Sequence, residues 1–144
     1  MAKSIEIDRK KRLREEPHKG HNRWHPDIAP VIEAAPGEEV TLETRDANDL
    51  QITSKTTAKD LEKLERTVAH PLTGPVYVKG AEPGDVLEVE ILDLKPGAWG
   101  WTGMIPGLGL LAQSGQAISL EVEQRRRMIG LKLARFLNLG QGLG

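Results

Sequence analysis

Two proline-glycine turns, each feeding a run of alternating apolar residues, set the strongest limit on what this chain can build. Pro36-Gly37 leads into Glu38-Glu39-Val40-Thr41-Leu42-Glu43-Thr44, where Val40, Leu42 and Thr44 share one face at strand period. Pro83-Gly84 leads into Asp85-Val86-Leu87-Glu88-Val89-Glu90-Ile91-Leu92, with Leu87, Val89 and Ile91 opposite Glu88 and Glu90. Proline presets one turn dihedral and glycine accepts positive φ, so each pair starts a half-buried strand. Val76-Tyr77-Val78 is a further short strand, and Thr57 with Asp60, ahead of Leu61, Leu64 and Val68, predicts a brief capped helix. Strands dominate and helices are minor, so the expected fold is mainly β, an antiparallel sandwich.

A chain of 144 residues can bury one sizeable core, and with only 3% aromatic residues Val, Leu and Ile must supply most of it. Residues 1–20 mix charges with little apolar periodicity and read as a basic, poorly ordered arm carrying a strand near Ile5 to Ile7. The body runs from 21 to 112, and its last stretch, from Pro96 to Leu111, is glycine-rich and reads as a loop. The tail, 113–144, differs in character: Ile129, Leu133 and Leu137 recur at helical spacing, although Gly130 weakens a helix by about 1 kcal/mol.

No stretch approaches the roughly 20 apolar residues of a membrane helix, and the N-terminus is charged where a signal peptide is apolar, so a cytoplasmic protein is expected. The net charge of −1 hides basic ends around an acidic middle. The clusters Lys10-Lys11-Arg12 and Arg125-Arg126-Arg127 are short and lack interleaved aromatics, so solvated termini are expected rather than a nucleic-acid or membrane surface. The chain has no cysteine, which removes disulfides, thiolate metal sites and a cysteine nucleophile.

Two segments concentrate chemistry. His21-Asn22-Arg23-Trp24-His25-Pro26-Asp27 holds two imidazoles, a guanidinium and a carboxylate within seven residues. Histidines four apart suit a metal on a helix face, but Pro26 disfavours helical geometry at His25, and in a strand the rings sit roughly 13 Å apart. One of the two as a ligand or proton carrier is the alternative to a metal pair. The second segment runs from Ala69-His70-Pro71 through Gly74-Pro75-Val76-Tyr77-Val78-Lys79-Gly80-Ala81-Glu82-Pro83-Gly84-Asp85. Its glycines and prolines shape turns, its Glu82 and Asp85 can be simply solvated, and His70 can be a satisfied core residue.

With Asp46, Gln51-Ile52, Gly100-Trp101-Thr102-Gly103 and Pro106-Gly107-Leu108-Gly109 in order between and after them, these segments resemble the acetamidase/formamidase family. Members of that family hydrolyse short carboxamides to a carboxylate and ammonia. The likeness covers residues 21 to 112, the N-terminal portion of such an enzyme, and members continue through a large C-terminal part. The resemblance implies a sandwich or jelly-roll-like fold, a homo-oligomer, a small amide substrate and a bound divalent metal, often taken as zinc. It points to His21, His25 and Asp46 as metal candidates, to Asp46, His70 and Glu82 as catalytic candidates, and to Arg23 and Trp24 as substrate-binding candidates. It departs at Asp49-Leu50-Gln51, where the family usually carries Asp-Gly-Gln, and leucine is costly there if the backbone needs positive φ.

Unactivated amides need a strong nucleophile, a stabilised oxyanion and a proton for the departing nitrogen. Without cysteine, and with no serine in a Gly-x-Ser-x-Gly context, water activated by a metal or a carboxylate remains. An ion held by His21 or His70 with Asp46 would lower the pKa of bound water, and Glu82 or Asp85 would shuttle the proton. The competing expectation is an inactive remnant that acts only as a folding or oligomerising β module.

Overall fold

The computed structural model describes residues 3–104, 118–123 and 131–141. Ten strands carry the fold, and the single α-helix among these residues, α1 (Ala58–Leu61), is one turn long. Its start is the predicted one: the Thr57 N–H and hydroxyl both donate to the Asp60 carboxylate, at 2.9 and 2.7 Å, and these bonds hold the Asp60 carboxyl below its usual range.

The main sheet contains β1 (Lys3–Ile5), β4 (Glu39–Leu42), β10 (Leu131–Gln141) and β7 (Asp85–Leu94), in the order β1-β4-β10-β7. Gly37 takes φ 81°, and the Glu38 N–H returns to the Ala35 carbonyl at 3.0 Å, so the first proline-glycine turn feeds β4 as expected. Val40 and Leu42 of β4 are buried and join Ile5 and Ala34 in the core, with Val31, Ile32 and Val76 packed against them.

The N-terminal segment is not a loose arm. β1 pairs parallel to β4, with Lys3, Ser4 and Ile5 opposite Val40, Thr41 and Leu42. Ile5 and Ile7 are buried, and Lys3 Nζ bonds Glu38 at 2.9 Å. That ammonium, with the Ala35 N–H, keeps the Glu38 carboxyl below its usual range. Further along, Glu16 is buried and gathers three donors: the Asp8 N–H at 3.0 Å, Arg45 Nη2 at 2.6 Å and Lys19 Nζ at 2.9 Å. The charge mixture that reads as disorder in isolation is thus an ion-pair network tying residues 8–19 to the body.

Smaller pairings surround the sheet. β3 (Ile32–Ala34) runs parallel to β6 (Val76–Val78), which places both parallel pairs of this mainly antiparallel fold beside the core. β2 (Gly20–His21) pairs antiparallel with β5 (Leu72–Thr73). β8 (Trp99–Met104) pairs antiparallel with β9 (Ile118–Glu123), which corrects the loop reading of that stretch: Trp99 and Trp101 stand at strand period, and aromatic β-propensity outweighs the local glycines. The Pro106–Gly109 turn and Leu108, Leu110 and Leu111 lie outside the described residues.

Two further expectations change. The helix anticipated around Leu133 and Leu137 is strand β10, antiparallel to both β4 and β7. The leucines at 131, 133, 137 and 139 satisfy a period of two as well as they satisfy helical spacing, Gly140 opposes a helix, and two available strand edges decide between them. On β7, Leu87, Val89 and Ile91 are 43%, 48% and 55% exposed rather than half-buried, an apolar row that the described residues leave uncovered. No helix among the described residues is long and apolar enough to cross a membrane.

Candidate functional site

A cleft of about 650 Å³ opens where the chain leaves β2. Its walls include Arg14, His21, Arg23, His25, Asp27 and Asp49, contributed by three separated segments. The first wall is anchored by pairing: Gly20 and His21 sit opposite Thr73 and Leu72, and the Gly74 N–H donates to the Lys19 carbonyl at 3.2 Å. Asn22 Nδ2 then donates to the Thr67 carbonyl at 2.7 Å, which fixes the start of the histidine segment against the turn at Arg66–Val68.

The two histidines meet their neighbours differently. His21 Nδ1 lies 2.7 Å from the Arg23 carbonyl, and because a carbonyl only accepts, Nδ1 is the donor, which in the neutral ring leaves Nε2 as the acceptor. The Trp24 ring meets His21 edge to face, with centroids 6.3 Å apart and planes at 72°. Trp24 is itself 87% exposed and stands outside the cleft wall. His25 Nδ1 accepts the Asp27 N–H at 3.3 Å and lies 3.7 Å from the Asp27 carboxylate. Neither histidine is on a helix, as Pro26 leads one to expect, so the i, i+4 metal geometry does not arise; they share a cleft instead.

Asp49 brings to the cleft wall the loop from Asp46 to Gln51. Asp46 Oδ2 takes the Asn48 N–H at 2.9 Å, and Oδ1 takes Trp101 Nε1 at 2.7 Å, joining two of the family-like segments across 55 positions of sequence. Gln51 clasps the loop from the other end, donating to the Asn48 and Glu65 carbonyls and accepting the Glu65 N–H. Between these clamps Asp49 and Leu50 adopt φ 52° and 66°, and His70, whose N–H donates to the Ala47 carbonyl at 2.7 Å, adopts 58°. Three consecutive or bonded non-glycine residues with left-handed backbone cost free energy that the surrounding hydrogen bonds must offset.

Leu50 therefore occupies a backbone state suited to glycine. Leu50→Gly and Leu50→Ala both remove the side chain, but only glycine relieves the left-handed strain. The glycine variant is expected to be the more stable by about 1 kcal/mol in urea unfolding, the reverse of the usual order. Equal midpoints would show that the loop carries no such strain.

Of the candidates read from sequence, His21, Arg23 and His25 line the cleft. Asp46 lies one clamp behind it, with both carboxylate oxygens engaged, and His70 sits exposed beside the same loop. Glu82 is exposed in the turn before β7, where its N–H donates to the Asp85 carboxylate at 3.0 Å, and it does not join the others. Among the described residues no three His, Asp or Glu side chains converge as a metal ion requires, so these donors do not fit a zinc centre by themselves. Besides Arg14, Asp49 is the polar cleft residue that sequence reasoning passed over. It is 1% exposed, and its Oδ1 accepts the Leu13 N–H at 2.9 Å. The one signal available was its place in the Asp-Leu-Gln step where glycine is usual.

Comparison with known proteins adds three findings. The model of the Acetamidase/Formamidase family matches residues 6–129, beyond both ends of the 21–112 likeness. An acetamidase of Mycolicibacterium smegmatis is 38% identical over 108 residues, covering 68% of this chain and 27% of that protein; a formamidase of Methylophilus methylotrophus is 36% identical, covering 72% and 26%. The solved structure of a gamma lactamase from Delftia acidovorans superposes with a TM-score of 0.63 at 38% identity, covering 73% of this chain and 26% of that one. The chain thus spans about a quarter of the length of the curated relatives it matches.

Proposed function

The chain belongs to the acetamidase/formamidase family, and from that premise we propose that it is the N-terminal portion of a hydrolase cleaving the carbon-nitrogen bond of short linear amides. The names of its relatives span acetamide, formamide and a lactam, so the amide bond itself is their common denominator. The observation that carries the reading to this chain is the cleft: a histidine with a fixed tautomer, a second histidine and an unpaired arginine face one small space. In this mechanism His21 Nε2 takes the proton of the attacking water and returns it to the departing nitrogen, giving ammonia and a carboxylate. Arg23, which forms no ion pair among the described residues, donates to the oxyanion. A divalent ion would need ligands beyond the described residues, and no step here depends on one. A jelly-roll-like sandwich, homo-oligomeric assembly and a cytoplasmic location belong to the same reading.

The test is ammonia release from formamide and acetamide by the purified chain, with His21→Ala as control. Release that falls by at least about tenfold in the control supports the reading; release unaffected by the substitution, or none at all, sinks it for this chain. A second reading, an inactive module that only assembles, is favoured by the uncovered Leu87-Val89-Ile91 row. It predicts multimers in size-exclusion chromatography together with no ammonia.

A further inference from the structure

The register of the main sheet shows where its buried face ends. Val40 and Ile91 both lie opposite Ala134, on either side of β10, so they share a face, and Leu42 and Ile5 share it too. Register runs unbroken from Ala134 to Asn138, which brings Val89 and Leu87 to the same face. At β1 and β4 that face is core, packed by Val31, Ile32 and Val76, while at β7 it lies open. β7 is also an edge: β10 takes one side of it, and no strand among the described residues takes the other. Leu87, Val89 and Ile91 alternate there with Glu88 and Glu90, both exposed, and β7 contains no lysine or arginine.

We propose that the free edge of β7 takes up an extended segment of another polypeptide in which apolar and basic residues alternate. A strand laid along this edge completes backbone hydrogen bonds. Because side chains alternate between faces, it sets every second residue beside Leu87, Val89 and Ile91 and the others beside Glu88 and Glu90. β10 already answers the inner edge in this way, with Ala134 and Phe136 opposite Ile91 and Val89, and Arg135 opposite Glu90. A second copy of this chain is a poor occupant. Antiparallel self-pairing centred on Val89, which aligns the row with itself, sets Glu88 opposite Glu90 on both sides of that centre, and like charges opposed in a sheet are destabilising. Face-to-face contact avoids that clash, but three half-exposed aliphatic side chains fall short of the roughly 800 Å² per partner that a stable dimer buries. Charge of one sign thus guards the edge against copies of itself and leaves it open to a basic strand. The proposal stands apart from the amide chemistry, since no β7 residue lines the cleft.

The probes are synthetic peptides of about nine residues, one alternating valine with lysine, one alternating valine with glutamate, and one of the lysine pattern with every backbone nitrogen methylated. Each is titrated into the full chain while the amide signals of Leu87, Val89 and Ile91 are followed by NMR. The lysine peptide is expected to bind at least about tenfold more tightly than the glutamate peptide, and the methylated one not at all. Glu88→Lys, at an exposed position, should narrow the gap between the two charged peptides at least about threefold. Equal binding of the lysine and glutamate peptides overturns the proposal, as does undiminished binding of the methylated peptide, an unchanged gap in folded Glu88→Lys, or no binding at millimolar concentration. Sedimentation of the chain alone adds a check: a dimer that Val89→Lys dissolves overturns the proposal in favour of a second copy. Should Glu88→Lys not fold, the three peptides on wild type decide.

Discussion

Replacing Arg45 by alanine is expected to cost the fold about 3 kcal/mol, seen as a lower urea midpoint with little change in slope. The Arg45 side chain is 3% exposed and its Nη2 meets Glu16 at 2.6 Å, so alanine leaves a buried carboxylate short of its main buried partner. Removing one member of such a pair costs about 3–5 kcal/mol, and the lower end applies because Lys19 still reaches Glu16. The buried Arg45 Nε has no partner among the described residues, which further limits what the pair contributes. The same network sets the acid response. Lys19, the Asp8 N–H and Arg45 hold the Glu16 carboxyl at about 2, below its ordinary 4.5. A depressed folded-state value means that the stabilisation is fully present above pH 4.5 and is lost as pH falls toward 2. Urea midpoints should therefore hold steady above that upper value and decline below it, and Glu16→Gln should flatten the decline. A wild-type midpoint in Arg45→Ala would mean that the network contributes nothing.

Gly20→Ala comes next in size, with an expected loss of about 3 kcal/mol, the upper end of what overpacking costs. A Cβ at this position collides with the Leu72 carbonyl oxygen and comes within 3.2 Å of Leu13 Cδ1. The first obstacle is backbone, which a rotamer change cannot relieve. Because Gly20 pairs with Thr73 and His21 with Leu72, accommodating the methyl group means prising β2 from β5, and His21 moves with it. The substitution should thus lower the thermal midpoint and shift the His21 ring signals together; a variant that melts like wild type would place β2 farther from β5 than the structure has it.

What could be read in advance was local. Turns such as Pro36-Gly37 and the Thr57-Asp60 cap act over four residues, and each folds as its composition dictates. His21, Arg23 and His25 are contiguous, so the cluster was visible before the cleft was. The misreadings concern partners far away in sequence. Lys3 finds Glu38, Glu16 finds Arg45, and β10 finds edges laid down by β4 and β7, and no window of neighbouring residues reports these encounters. Asp49 was missed for the same reason, since the N–H that anchors it belongs to Leu13, 36 positions earlier.

The strand order of the main sheet departs from the order of synthesis at one place. Of the four strands of this sheet β10 is made after the other three, yet it lies between β4 and β7 and is the element through which they are joined. As the chain leaves the ribosome, β7 emerges with its apolar row and waits for the strand that will bond it to β4. Closing that gap late, across long separations in sequence, is slow and leaves an open edge in the meantime. Assembly of this sheet therefore waits for β10, and until that strand arrives the nascent segment carries its apolar row beside an unfilled edge.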